Sequence, residues 1–440
     1  MKSAKKNLIP LFLFTLFFAF SFFCAWRVLA GPYADSRHGQ AVDRSSIDSK
    51  YSAYAVGNCG HCHETHASLL GGEPLPLDGS ASPALRFTSQ GVFCITCHDG
   101  NPVTRPNANI KVQFDKPYKH PAGDPLYADR HTLSMLETGQ GGAPFRGSLR
   151  HAECSDCHDP HVAQLGHQIF DTLAPQNNNL VSKVLLNTWG VEPSFSGNWT
   201  VPTTFTEQKP AQKEYQICFK CHSYYGLQAA SGVSTITGPS GGVITDQARE
   251  VNPNNLSYHP VVAGTGNNPL LAVRLGPPWN ASPGVQTMYC SDCHGDNDTS
   301  QPLGPHGSNN KFLLKSGTWP AKADGTLWKL SDRGNTALFC KMCHPLGGTN
   351  VGGTWGGRTW GGTTGADNSV HARSQHQNYY CVNCHSAVPH GASRNRLIAY
   401  ASDPAPYDYN NNTAKMTSFT FSPSGSYSAN ACSASCGGPH

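Results

Sequence analysis

Apolar residues gather into one long run, Leu8 to Phe23, and no comparable run follows it. Beyond that run apolar positions are dispersed, and neither a helical nor an alternating period is sustained. With 45 Gly and 32 Pro punctuating 440 residues, the pattern predicts a mostly irregular, coil-rich chain with short helices and few strands. The apolar run itself follows Lys2, Lys5 and Lys6 and is followed by Val28-Leu29-Ala30. Positive residues, an apolar stretch and small residues at −3 and −1 predict a secretory signal over 1–30, cleaved after Ala30. Cys24 would leave with it, and an uncleaved anchor is the alternative.

The cysteines change this picture. Of 17, fourteen fall into seven copies of Cys-x-x-Cys-His. Their cysteine pairs are Cys59/Cys62, Cys94/Cys97, Cys154/Cys157, Cys218/Cys221, Cys290/Cys293, Cys340/Cys343 and Cys381/Cys384. The histidines that follow are His63, His98, His158, His222, His294, His344 and His385. The pattern reads as covalent attachment of seven c-type haems. Two thiols with two residues between them reach the two vinyl groups of one porphyrin, and the next residue supplies an imidazole to the iron. Zinc knuckles are the competing reading. They need four N/S ligands per metal and impose no His after each pair, so they explain the pattern less well.

The motifs begin at 59, 94, 154, 218, 290, 340 and 381, with no fixed period and hence no solenoid repeat. This divides the mature chain into an N-terminal arm (31–58), a heptahaem region (59–391) and a Ser/Asn/Tyr-rich tail (392–440). The motif-free stretch 223–289 either separates a four-haem from a three-haem part or loops around one continuous haem stack, and the continuous stack is preferred. The haems are expected to supply much of the core, because the chain's own apolar content is too dispersed to offset ordering entropy. Phe93, Tyr289, Phe339 and Tyr380 each precede a motif and could pack on a porphyrin edge. Residues 347–365 form a Gly-rich loop carrying Trp355 and Trp360, without a phosphate-loop Lys-Ser/Thr. In the tail, Cys432-Ser-Ala-Ser-Cys436 is followed by Gly437 rather than His and predicts a local disulfide.

Net charge is +4, charged residues are 14% against about 25% in ordinary chains, and no basic run occurs, which argues against nucleic acid as a partner. Histidine is the telling residue. There are 21, seven of them in the motifs. Fourteen spare His for seven irons point to imidazole on both faces, the closed, low-spin coordination of an electron carrier. The candidate distal ligands are His66 and His161, three residues beyond a motif His, where they reach an adjacent haem rather than their own. His120 and His259 each precede a proline, and His306 and His390 each sit in Pro-His-Gly. His376 is the seventh, with His371, His131 and His151 close behind. His38 and His440, near the mature termini, read as terminal residues or as ligands to a neighbouring subunit.

These motifs resemble the doubled-CxxCH multihaem c-type cytochromes of metal-respiring bacteria. The residues that carry the likeness are Cys59 to His66, Arg150 through His161, Lys119-His120-Pro121, Gly304-Pro305-His306-Gly307 and Cys381 through Gly391. The resemblance implies a periplasmic or outer-surface electron carrier with bis-His haems in a chain. Its partners would be other redox proteins or an extracellular, even insoluble, acceptor. Some members of that family self-associate by exchanging an axial His, but filament formation is not carried over to this chain, which has seven motifs, a longer Gly/Trp loop and a Cys-containing tail. The alternative is a multihaem oxidoreductase of the nitrite, hydroxylamine or sulfite type, which would leave one haem open to substrate.

Overall fold

The computed structural model describes residues 33–40, 57, 59, 62–63, 90–99, 109–122, 152–164, 179–237, 243–266, 275–346, 354–355, 358–359, 376–409, 416–418, 420–421 and 427–428. The export segment, His66, His131, His151, His371, His440 and the Cys432/Cys436 pair lie outside them, as does most of the Gly/Trp loop. No helix among the described residues is long and apolar enough to cross a membrane.

Regular structure is sparse and short, as the broken pattern predicts. Among the described residues the longest helices are Glu214–His222 and Gln90–Cys97, at nine and eight residues. The described strands pair only as two-stranded antiparallel ribbons. Helical turns concentrate at the motifs for a local reason. In Cys154-Ser-Asp-Cys157 and Cys290-Ser-Asp-Cys293, the Asp carboxylate accepts the N–H of the residue before the first Cys. Asp156 takes that of Glu153 at 2.7 Å and Asp292 that of Tyr289 at 2.7 Å. Each closes a capped turn that needs no longer helix behind it.

Two apolar clusters lie against the motifs. One gathers Val191, Tyr215, Phe219, Ala248, Val251, Trp279 and Met288, with Cys290, Cys293 and Cys343 packed on it. The other gathers Leu314, Trp319, Trp328, Leu338 and Val382, with Phe339, Cys340, Tyr380 and Cys381. Residues on both sides of the motif-free stretch 223–289, and residues within it, therefore share one core. Its inner part contributes the ribbon Val233–Thr237/Val243–Thr245 and the short helix Gln247–Glu250.

Asn179 ties this core together. Its backbone is left-handed, with φ 61°, a conformation Asn tolerates better than most residues. Its buried amide donates to the carbonyls of Val261 and Met288. Asn179→Ala leaves both carbonyls dry and unmet, at about 1–3 kcal/mol. The expected outcome is a lower denaturant midpoint in equilibrium unfolding; an unchanged midpoint would show that the two carbonyls find other donors.

Candidate cofactor-attachment sites

Each motif forms one helical turn. The His N–H donates to the carbonyl of the first Cys in six motifs, at 2.9 Å in Cys59–His63, Cys154–His158, Cys290–His294 and Cys340–His344, and at 3.0 Å in Cys94–His98 and Cys381–His385. The seventh, Cys218–His222, ends the Glu214–His222 helix. The turn puts two thiols and one imidazole on the same side of the chain. All fourteen motif cysteines are free of disulfides.

The second cysteines of the fourth and last motifs, Cys221 and Cys384, are half-buried like their partners Cys218 and Cys381. Cys221 lies in the last turn of the Glu214–His222 helix, with the short helix Tyr224–Leu227 directly behind it. The approach is close enough that a Cβ on Gly226 would fall 3.1 Å from the Cys221 Cα. Cys384 is held through its backbone on both sides. Its N–H donates to the Cys381 carbonyl at 3.3 Å, and its own carbonyl accepts the Ala399 N–H at 2.9 Å. Neither cysteine forms a disulfide.

Burial pushes the Cys340 thiol up to about 11 and those of Cys343 and Cys381 to about 12, so they stand as neutral S–H groups. Among the described residues one trio of metal-ligand types, Glu214, Cys218 and Cys290, lies within 4.8 Å, which is not a tetrahedral Cys/His set.

Among the described residues, a second imidazole stands opposite six of the motif histidines. The ring centroids are 6.0 Å apart in His63–His161, 6.1 Å in His98–His38, 6.0 Å in His158–His306, 6.0 Å in His222–His120, 5.9 Å in His294–His390 and 6.4 Å in His344–His259. The interplanar angles of these pairs run from 9° to 80°. Separation is constant while orientation is not, as expected of a fixed-thickness object between the rings rather than of ring stacking. Two imidazoles on one metal hold their nitrogens about 4 Å apart, and each centroid lies about 1 Å further out, giving roughly 6 Å. The residues present fit an iron ligated on both faces.

The ring nitrogens agree. His158 Nδ1 lies 2.9 Å from the Val184 carbonyl, His294 Nδ1 2.8 Å from that of Phe312 and His385 Nδ1 3.1 Å from that of Arg396. On the opposing side, Nδ1 of His38 meets the Pro160 carbonyl at 3.0 Å, while His120 meets Pro305 and His259 meets Pro389, both at 2.5 Å. A carbonyl only accepts, so each Nδ1 carries the proton and each Nε2 keeps its lone pair for a metal. Burial, reinforced by neighbouring imidazoles, lowers His306 to about 3 and His259 and His294 to about 4. These rings are neutral, as ligands must be.

The histidine pairs come from a duplicated device. Strand Tyr118–Lys119 pairs with Gly307–Ser308, and Ser257–Tyr258 pairs with Gly391–Ala392. Each ribbon locks two opposing histidines together: the His120 N–H donates to the His306 carbonyl at 3.0 Å, and the His259 N–H to that of His390 at 2.8 Å. One ribbon serves His158 and His222, the other His294 and His344. After each ribbon, two consecutive non-glycine residues take left-handed backbone, Phe312 and Leu313 at φ 62° and 59°, Arg396 and Leu397 at φ 64° and 56°. That costly conformation turns the Phe312 and Arg396 carbonyls onto motif histidines. A looser version occupies the N-terminal arm, where the Arg37 N–H donates to the Ala163 carbonyl at 2.9 Å and His38 lies beside Pro160-His161. His38 is therefore not a loose terminal residue but stands opposite His98 of its own chain.

Motif follows motif in space as in sequence. The thiols of Cys94 and Cys154 are within hydrogen-bond reach of each other, as are those of Cys218 and Cys290. The variable motif residues make cross-links: Lys220 Nζ donates to the Asp156 carbonyl at 2.6 Å, and Glu214 accepts the Ser291 N–H at 2.9 Å and its hydroxyl at 2.7 Å. His376 lies 5.8 Å from the Tyr379 ring. Sequence reasoning missed the duplication, whose signal is the pair of segments Pro305-His306-Gly307 to Leu314 and Pro389-His390-Gly391 to Ile398. Comparison with family models, curated proteins and solved structures finds no match to this chain.

Proposed function

We propose that this chain is an exported heptahaem c-type cytochrome that conducts electrons along a row of haems. The observation that carries the reading is the near-constant separation of about 6 Å between paired imidazoles at motif after motif, a spacing that fits two imidazoles on one metal. Each haem, when bound, supplies a one-electron site whose iron alternates between ferric and ferrous. The chain's residues do the rest. The motif thiols would hold each haem, the motif His and its opposing His would supply imidazole to the iron, and the carbonyls at Nδ1 hold the imidazoles in one orientation. Closed coordination on both faces favours fast electron transfer over substrate binding. Short links such as Lys220 to Asp156 hold neighbouring motifs close enough for transfer from ring to ring.

The partners in this reading are other redox proteins and, beyond them, an extracellular or insoluble acceptor, with self-association as a further mode. The basic and apolar N-terminal run supports export to the periplasm or outer surface, where haem is joined to thiols. The resemblance to the multihaem cytochromes of metal-respiring bacteria belongs to the same proposal, as does a haem stack as the main core. Expressed in a host with cytochrome c maturation, the secreted protein should have the intact mass of the mature chain plus seven haems. Fewer than seven on fully matured protein would contradict the reading.

A further inference from the structure

Gln113 and Glu250 occupy matching places in the duplicated device. Each lies in a four-residue helix, Lys111–Phe114 or Gln247–Glu250, and each is fully buried. The backbone carbonyl of each lies 1.8 Å from where a Cβ on Gly307 or Gly391 would sit. Each side chain accepts Nδ1–H from the neighbouring axial candidate: Gln113 Oε1 from His306 at 2.9 Å and Glu250 Oε2 from His390 at 2.6 Å. The Gln113 amide is oriented by its Nε2–H, which donates to the Pro302 carbonyl at 2.6 Å, leaving Oε1 for His306.

The chemistry of the two acceptors differs. The amide is neutral, while the acid can carry a full negative charge beside the imidazole. The surroundings of Glu250 suit that charge. The Tyr407 hydroxyl donates to its Oε1 at 2.6 Å, and Arg249 Nη2 donates to the Tyr407 oxygen at 2.6 Å. Arg249 is held in place over Trp199, at 4.7 Å from the ring centroid. Burial, then the Glu250 charge, hold the Tyr407 hydroxyl protonated as a donor. No equivalent relay is seen at Gln113 among the described contacts.

We propose that Glu250 is a positioning residue that lowers the potential of the haem held between His294 and His390 relative to the haem between His158 and His306, where Gln113 stands in its place. The inference rests on the haem reading above. A charge-assisted hydrogen bond draws the Nδ1 proton toward the carboxylate and enriches Nε2, which favours ferric over ferrous iron. A buried negative charge near the iron acts in the same direction. No bond breaks; the haem takes one electron, at a lower potential. The two ribbons would then hold haems of unequal potential and give the row a direction.

The test is a spectroscopic redox titration of the haem-loaded full chain, with haem counted by pyridine haemochrome. In Glu250→Gln, one-seventh of the α-band amplitude should titrate higher, by about a tenfold change in the ferric-to-ferrous equilibrium, or about 59 mV for one electron. In Gln113→Glu, one-seventh should titrate lower. Seven low-spin haems with both curves superimposed on that of the unaltered protein would overturn the inference. Should Glu250→Gln fail to load its haem, Gln113→Glu decides alone, an unshifted curve again overturning it. If the unaltered protein carries no haem, the functional reading fails instead.

Discussion

Under the proposed heptahaem reading, Gly391→Ala is expected to open two iron sites at once. A Cβ on Gly391 would sit 1.8 Å from the Glu250 carbonyl oxygen and 3.1 Å from that of Ser257. Both obstacles are backbone, so no side-chain rotation relieves them. The ribbon Gly391–Ala392/Ser257–Tyr258 must separate from the Gln247–Glu250 helix. Overpacking of this kind costs about 1–3 kcal/mol, and a backbone clash belongs at the upper end. The consequence is more than lost stability. His390 and His259 are joined through that ribbon, and they face His294 and His344. Two haems should therefore become high-spin and bind CO on reduction. Gly307→Ala should do the same to the sites of His158 and His222, its Cβ falling 1.8 Å from the Gln113 carbonyl. Either variant with all haems low-spin and an unchanged thermal midpoint would show that the ribbons do not hold the axial histidines.

The second large effect is one of address. His161→Ala should create one CO-binding haem, and that haem should belong to the first motif rather than to the third, next to which His161 lies in sequence. The geometry is the His63–His161 pair at 6.0 Å. Adding Cys59→Ala and Cys62→Ala removes the first haem and should abolish the CO signal. Adding Cys154→Ala and Cys157→Ala instead should leave it. The reverse pattern would reassign His161 to its own motif's neighbourhood. By the same logic His38→Ala should open the second motif's site, since His38 faces His98 at 6.1 Å.

The turns at the motifs and the coil-rich architecture were legible because both are local. Two thiols and an imidazole within five residues define a turn wherever they occur, and frequent Gly and Pro exclude long elements in any context. Even so, the turn is completed differently from site to site: Cys221 lies in the last turn of a nine-residue helix, while Cys384 caps the short turn Cys381–Asn383 and is tied to Ala399. The opposing histidines were legible only in part. His120, His161, His259, His306 and His390 are marked by Pro or by proximity to a motif, and each stands opposite a motif His. Which motif each one faces is a tertiary fact: Pro305 and Pro389 meet their partner histidines across 185 and 130 residues. His38 was misread because sequence position near a terminus suggests looseness, whereas the arm is tied to Pro160 and Ala163. The duplication escaped notice because its unit is discontinuous, one strand from each of two distant segments, so uneven motif spacing hid it. Glu250 carries no motif at all; only its burial and its contact with His390 mark it.

The most direct test of paired axial imidazoles is the low-temperature EPR spectrum of the fully oxidised protein with seven haems attached. At least six low-spin ferric haems are expected, from the six His–His pairs whose centroids lie 5.9–6.4 Å apart. Two or more high-spin haems per chain would contradict the pairing and make an open, substrate-binding haem the better description of this protein.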